Sequence, residues 1–336
     1  MSNPVATPTR IPPRTTRRYA NVYEAQAPGG AGVQNVKGEA VRKQLLCVLT
    51  VLAVAAATAG AALAVLGGQP DGNAHPYVGY EDNGVFACSG TLLSPTVMLT
   101  AAHCFSDSTS AFGTDTVTGA PIVRATFDPN LANTPSANRV WHYGTYYFDP
   151  QFAIGAGHGL PGFDTHDVAV IIFGSPGCHV PADASGTSTC GTITDPTTYG
   201  ALPTQGLVDT LENGAPIDLV GYGDQNFIRG GGPCDGNCKP REGDAFTRFF
   251  GQTTLITSND KLSSQFIKLH SNPSGTCFGD SGGPNLLGGT NIVLGINSFV
   301  ANGICAGNTY SYRADTSDAL GWVTATVAAQ HAGIAH

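Results

Sequence analysis

The run Gly279-Asp280-Ser281-Gly282-Gly283-Pro284 decides how the rest of the chain is read. Glycines on both sides of Ser281 strip it of steric cover, so an electrophile and backbone N–H groups can approach its hydroxyl closely. A Gly-rich surface turn would account for a loose Gly-x-Ser-x-Gly pattern, but the six-residue string is more specific than that. A serine nucleophile is weak at neutral pH and needs a base, and the base needs a group to orient it. The string therefore demands a histidine and an acid elsewhere in the chain.

Both occur upstream. Leu99-Thr100-Ala101-Ala102-His103-Cys104 places a histidine beside a cysteine, and Asp167 opens the apolar run Val168-Ala169-Val170-Ile171-Ile172-Phe173. With Ser281, these segments resemble, in order, the histidine, aspartate and nucleophile motifs of the chymotrypsin family of serine proteases, in a bacterial-type member. The order His103, Asp167, Ser281 matters, because the same constellation on other folds runs in other orders. The resemblance implies an all-β fold of two antiparallel Greek-key six-stranded barrels with a C-terminal helix. It implies that Ser281 attacks, His103 takes its proton, Asp167 fixes the imidazole, and the N–H groups of Gly279 and Ser281 form the oxyanion hole.

It also implies a specificity pocket. Relatives that cut after Lys or Arg carry an acid six positions before the serine, and here that position is Gly275. Thr276 on one side and Ser298, Phe299 and Val300 on the other are the expected walls, with Tyr310 intruding from a later strand. An uncharged pocket favours an uncharged residue before the cleaved bond. Disulfides Cys88–Cys104 and Cys277–Cys305 follow from the resemblance as well. Cys178–Cys190 and Cys234–Cys238 are the local pairings of the remaining four, although four cysteines allow three connectivities. Zinc at Cys234 and Cys238 would need two more ligands, and no neighbouring His or Cys supplies them. No metal or cofactor is expected.

Composition agrees with a turn-rich β protein: 44 Gly and 22 Pro accompany only 12% charged residues in 336. The formal charge of −8 is uneven, since residues 1–44 hold seven Lys or Arg against Glu24 and Glu39, a net +5 that leaves −13 on the remainder. An acidic body gives no reason to expect nucleic acid as a partner. Eight of the nine cysteines lie beyond residue 80, an even set that points to an oxidising compartment.

Residues 1–44 are polar, rich in Pro, Arg and Gly, and read as disordered. Leu45 to Leu66 is a nearly unbroken apolar run behind Arg42 and Lys43. Its Ala62-Leu63-Ala64 end fits a cleaved export signal, with a retained membrane anchor, protease domain outside, as the alternative. Cys47 lies early in the run, which weakens a lipoprotein reading. A valine start at Val41 would give the signal an ordinary short basic head. The body from residue 65 is then secreted, with a first barrel at about 65–195, a second at about 205–316 and a helix at about 317–330. In the family a newly cut N-terminus turns inward, and Val65-Leu66-Gly67-Gly68 has the form of that end. The resemblance thus implies an ion pair between the Val65 ammonium and Asp280. Residues 67–80 read as a loop, and His142, His158 and His166 as surface or packing histidines.

The expected partners are protein or peptide substrates of a monomer. An α/β-hydrolase esterase also carries Gly-x-Ser-x-Gly, but it needs the acid and histidine after the serine, and Gly282-Gly283-Pro284 starts a helix poorly. A protease-like binding protein without turnover is the other alternative; such homologues usually lose a member of the constellation, and here all three are in place.

Overall fold

Short apolar runs punctuated by Gly, Pro and Asn build fourteen strands among the described residues, which in this computed structural model are 65–153, 166–224, 246–257, 264–301 and 305–330. Of two compact units, residues 1–60 lie outside that description and residues 61–336 form the body. The described residues open with β1 (Gln69–Pro70). Six strands then close a barrel: β2 (Val78–Asp82), β3 (Ala87–Ser94), β4 (Val97–Thr100), β5 (Ile122–Thr126), β6 (Val140–Phe148) and β7 (Ala169–Phe173), sealed by antiparallel pairing of β5 with β6. A short β8 (Thr187–Thr189) adds in parallel to β6. The second barrel comprises β9 (Pro216–Gly221), β10 (Phe249–Thr257), β11 (Phe266–His270), β12 (Pro284–Leu287), β13 (Val293–Val300) and β14 (Asn308–Arg313), and β9 pairing with β10 seals it. Closure leaves neither barrel with an open edge.

One continuous core joins the barrels. Leu92, Leu99, Val170 and Ile171 of the first pack in the same apolar cluster as Val220, Phe266, Ile296 and Tyr312 of the second. Helix α1 (Ser317–Ala329) closes the chain, with Ala319, Val323 and Val327, four residues apart, facing that cluster. The Thr316 hydroxyl caps it by accepting from the Ala319 N–H at 3.1 Å. Asp315 is engaged elsewhere, by the Arg313 guanidinium at 2.9 Å and the Val208 N–H at 2.7 Å.

Residues 67–80 are not a plain loop. Val78–Asp82 is fully buried on both faces, so it lacks the alternation that would mark a half-exposed strand, and Glu81 and Asp82 disguise it further. Residues 65–71 belong to the second barrel and not to the first, since Gln69 pairs with Phe250 and Leu66 bridges Gly275. Fully buried Arg248 ties this strap down, donating to Asp71 Oδ2 at 2.9 Å, Gly72 O at 3.0 Å and Val78 O at 2.9 Å. Disulfides Cys88–Cys104, Cys178–Cys190 and Cys277–Cys305 are formed, whereas Cys234 and Cys238 lie outside the described residues. Cys47, His158 and the apolar run up to residue 64 lie outside them too. No helix among the described residues is long and apolar enough to cross a membrane.

Candidate active site

Strand β4 delivers His103 on a single 3-10 turn, Ala102–Cys104. The turn is pinned twice. Cys104 is bonded to Cys88, and the buried Tyr146 hydroxyl, which has one hydrogen to donate, lies 3.0 Å from Ala101 O and 2.8 Å from Ala102 O. Asp167 waits just ahead of β7, fully buried. Its Oδ1 accepts the His103 N–H at 2.9 Å, and its Oδ2 takes His103 Nδ1 at 2.8 Å and the Ser298 hydroxyl. Burial alone would raise this carboxyl, but the charge and hydrogen bonds of His103, with the bond from Ser298, hold it below the usual aspartate value. A proton fixed on Nδ1 leaves Nε2 as the nitrogen able to accept one.

His166, next in sequence to Asp167, turns away at φ +56 and sets its Nδ1 3.2 Å from Asp149, out of line for a hydrogen bond. Half-buried His142 lies against Phe127.

Ser281 reaches the same cavity from the second barrel, and that cavity is lined by Phe86, Cys88, His103, Phe278, Gly279 and Ser281. Gly279 needs to be glycine: its φ is +94, and a Cβ there would stand 2.9 Å from Gly223 Cα. Ser89 on β3 holds the loop from beneath, its N–H donating to Ser281 O and its hydroxyl to Gly279 O, each at 2.8 Å. The N–H groups of Gly279 and Ser281 meet no acceptor among the described residues.

Of the residues expected to wall the specificity pocket, Ser298 has its hydroxyl turned onto Asp167. Gly275 carries no charge and has no room for one: a Cβ would lie 2.6 Å from Ser271 Cβ, and its N–H donates to Leu66 O at 3.0 Å. Thr276 is buried, while half-buried Phe299 stacks on Tyr310 with ring centroids 4.8 Å apart and flanks half-buried Val300.

The ion pair expected between Val65 and Asp280 requires a Val65 ammonium freed by cutting. In this uncut chain the Val65 nitrogen is a peptide amide, and its side chain is buried in the second barrel among Val208, Ile217 and Leu219. Asp280 instead accepts the Gly223 and Cys277 N–H groups, each at 2.9 Å. Burial pushes its carboxyl up to about 7, against those two hydrogen bonds and with Asp224 adding to the rise. Cys88, His103 and Cys104 cluster closely, but the sulfurs are joined in a disulfide and offer no thiolate to a metal.

Ser89, Tyr146 and the Asp167-facing role of Ser298 are absent from the sequence reading. A hydroxyl in a strand carries no motif; the meeting of the barrels gives Ser89 and Ser298 their partners, and the packing of β6 on the turn after β4 gives Tyr146 its own.

Two closed six-stranded antiparallel barrels with a C-terminal helix define the chymotrypsin-like fold. The chain belongs to the trypsin family, whose profile matches residues 65–323. Among solved structures it is similar to HL collagenase, at 19% identity over 76% of this chain and 95% of that one, with a TM-score of 0.51. It is similar also to human heparin binding protein, at 18% identity over 80% of this chain and 98% of that one, with a TM-score of 0.49. No curated protein sequence matches it.

Proposed function

We propose that this protein is a secreted serine endopeptidase of bacterial type that cleaves peptide bonds through an acyl-enzyme. One observation carries the reading: His103 is held on Asp167 at 2.8 Å while Ser281 opens onto the same cavity, beside two N–H groups that meet no acceptor among the described residues. Ser281 attacks the carbonyl, Nε2 of His103 takes its proton and returns it to the leaving amine, and Asp167 stabilises the imidazolium. Gly279 and Ser281 hold the oxyanion. An uncharged residue precedes the cleaved bond, because Gly275 brings no acid to the pocket.

Export removes residues up to Ala64, the alternative being a retained anchor, and the new Val65 ammonium leaves the barrel wall to pair with Asp280. The three disulfides support an oxidising destination. The test is labelling with a serine-directed phosphonylating reagent, then mapping of the modified peptide. Modification of Ser281, lost in His103→Ala, is the expected result. A body beginning at Val65 should outpace one extended by Gly-Ser, and equal activity with the extension intact would exclude the pairing with Asp280.

A further inference from the structure

Glu81 lies fully inside the first barrel, a place where strands ordinarily put an apolar side chain. One carboxyl oxygen, Oε2, has no hydrogen-bond partner, and the other stands 2.5 Å from Thr100 Oγ1. Thr100 Oγ1 is also 3.2 Å from the carbonyl of Ser89. A threonine hydroxyl has one hydrogen, so it cannot serve both acceptors at once. If the acid carries a proton on Oε1, the count closes: Glu81 donates to Thr100, and Thr100 donates to Ser89. If the acid is ionised, the single hydrogen is drawn to the charge and the Ser89 carbonyl loses its donor.

Ser89 then meets the nucleophile loop at two points, its N–H donating to Ser281 O and its hydroxyl to Gly279 O, while that hydroxyl accepts the N–H of Tyr222, just past β9, at 3.0 Å. The loop rests on the chain directly, because a Cβ on Gly282 would lie 2.1 Å from Thr100 Oγ1 and 2.3 Å from Ser89 O.

We propose that Glu81, Thr100 and Ser89 form a buried proton-bearing relay that positions the oxyanion loop, with Ser89 as the positioning residue and Glu81 as the group whose proton sets it. The inference rests on the endopeptidase reading above and adds to it a control of the oxyanion loop from within the first barrel. Burial raises the Glu81 carboxyl well above the ordinary glutamate value, the Thr100 bond opposes the rise, and Asp82 adds to it. The other titratable group bearing on it is Tyr146 of β6, while β3 and β5 pair it with disulfide-bonded Cys88 and with Ala125. A raised folded-state value means that the neutral, ordered relay holds at low pH and is lost as pH climbs through that value.

The experiment uses the body beginning at Val65, with the phosphonylation rate and kcat followed against pH. Ser89→Ala should lower kcat roughly tenfold to a hundredfold, with KM within about twofold, because the loop presenting the oxyanion donors loosens while the substrate contacts stay. Glu81→Gln replaces the acid O–H by an amide N–H; it should keep at least half of the activity and extend it to higher pH than the wild type reaches. Thr100→Val should lower kcat several-fold and uncouple what remains from that alkaline limb. An infrared band of a protonated carboxyl at neutral pH should vanish in Glu81→Gln. Unchanged kcat in a folded Ser89→Ala, or a wild-type alkaline limb retained by Glu81→Gln, overturns the relay alone. A wild type that neither labels nor cleaves overturns the endopeptidase reading, and the positioning role with it.

Discussion

Two buried carboxylates flank the cavity, Asp167 in the first barrel and Asp280 in the second, and neither exposes any surface. Asp167 has a histidine ring, a backbone N–H and a serine hydroxyl around it, and burial fails to lift its carboxyl. Asp280 has two backbone N–H groups and no ion pair among the described residues, and burial carries its carboxyl up to about 7. Depth is equal at the two sites, so the difference lies in the partners: two amide dipoles offset less of the desolvation than the histidine ring, backbone N–H and serine hydroxyl gathered on Asp167. In the proposed mechanism the first barrel presents the orienting acid, and the second presents an acid with no cation beside it among the described residues.

The largest effect should come from breaking the first of these. In the body beginning at Val65, Asp167→Asn removes the acceptor that fixes the proton on Nδ1 of His103, and an amide N–H₂ facing Nδ1 favours the other tautomer. The expected loss is about ten-thousandfold in kcat at neutral pH, the size seen for that change in the template triad, with KM nearly unmoved. Single-turnover acylation measures it. Retention of more than a tenth of wild-type kcat would mean that Asp167 only packs against the histidine.

The second effect concerns stability and has opposite signs at the two acids. Asp167, depressed, contributes stability that is present above its unfolded value and fades as pH falls through the folded one. Asp280, raised, contributes stability that is complete below about 3.8 and fades as pH rises through about 7. At 1.36 kcal/mol per pKa unit the Asp280 contribution is roughly 4 kcal/mol at most. Urea unfolding of the body extended by Gly-Ser should therefore weaken between pH 4 and 7 relative to the body starting at Val65, whose ammonium would supply the missing cation. Parallel curves for the two proteins would show that Asp280 finds no new partner after cutting.

How much of this was legible follows the same division. His103, Asp167 and Ser281 stand in strings whose residue types and order carry information locally, and the two disulfides beside them follow from the family resemblance that those strings carry. β2 was hidden because a strand buried on both faces does not alternate, and Glu81 and Asp82 made it look like loop. Nothing in the sequence marks β12, because Pro284 both ends the nucleophile string and opens the strand. Ser298 read as a pocket wall, and only the approach of β13 to the first barrel turns its hydroxyl onto Asp167. Val65 fits a free terminus by pattern, whereas in the uncut chain its apolar side chain is more stable inside the barrel wall. Local strings are readable, and partners brought from 100 residues away are not.

The smallest effect belongs to the cavity's rim, where the contrast with the buried acids is one of solvent and not of charge. Phe86 and Phe278 line the cavity with His103 and Ser281, yet they are 57% and 48% exposed. Rings left half in water have apolar surface still to be covered by a substrate. The residues expected to wall the specificity pocket, Gly275, Thr276, Phe299 and Val300, are not among those lining this cavity. On the proposed mechanism, a chain crossing Ser281 with its acyl half in that pocket is expected to lay its leaving half against the two phenylalanines. Covering about 40 Å² of ring at 25 cal/mol per Å² is worth about 1 kcal/mol, close to fivefold in kcat/KM. Phe86→Ser and Phe278→Ser should each reduce, by that modest factor, the advantage of peptides with an apolar residue after the cleaved bond. Peptides with Ser or Gly there should be cut as before, and the melting temperature should hold, since neither ring is in the core. A loss confined to residues before the cleaved bond would reverse the direction in which the substrate lies.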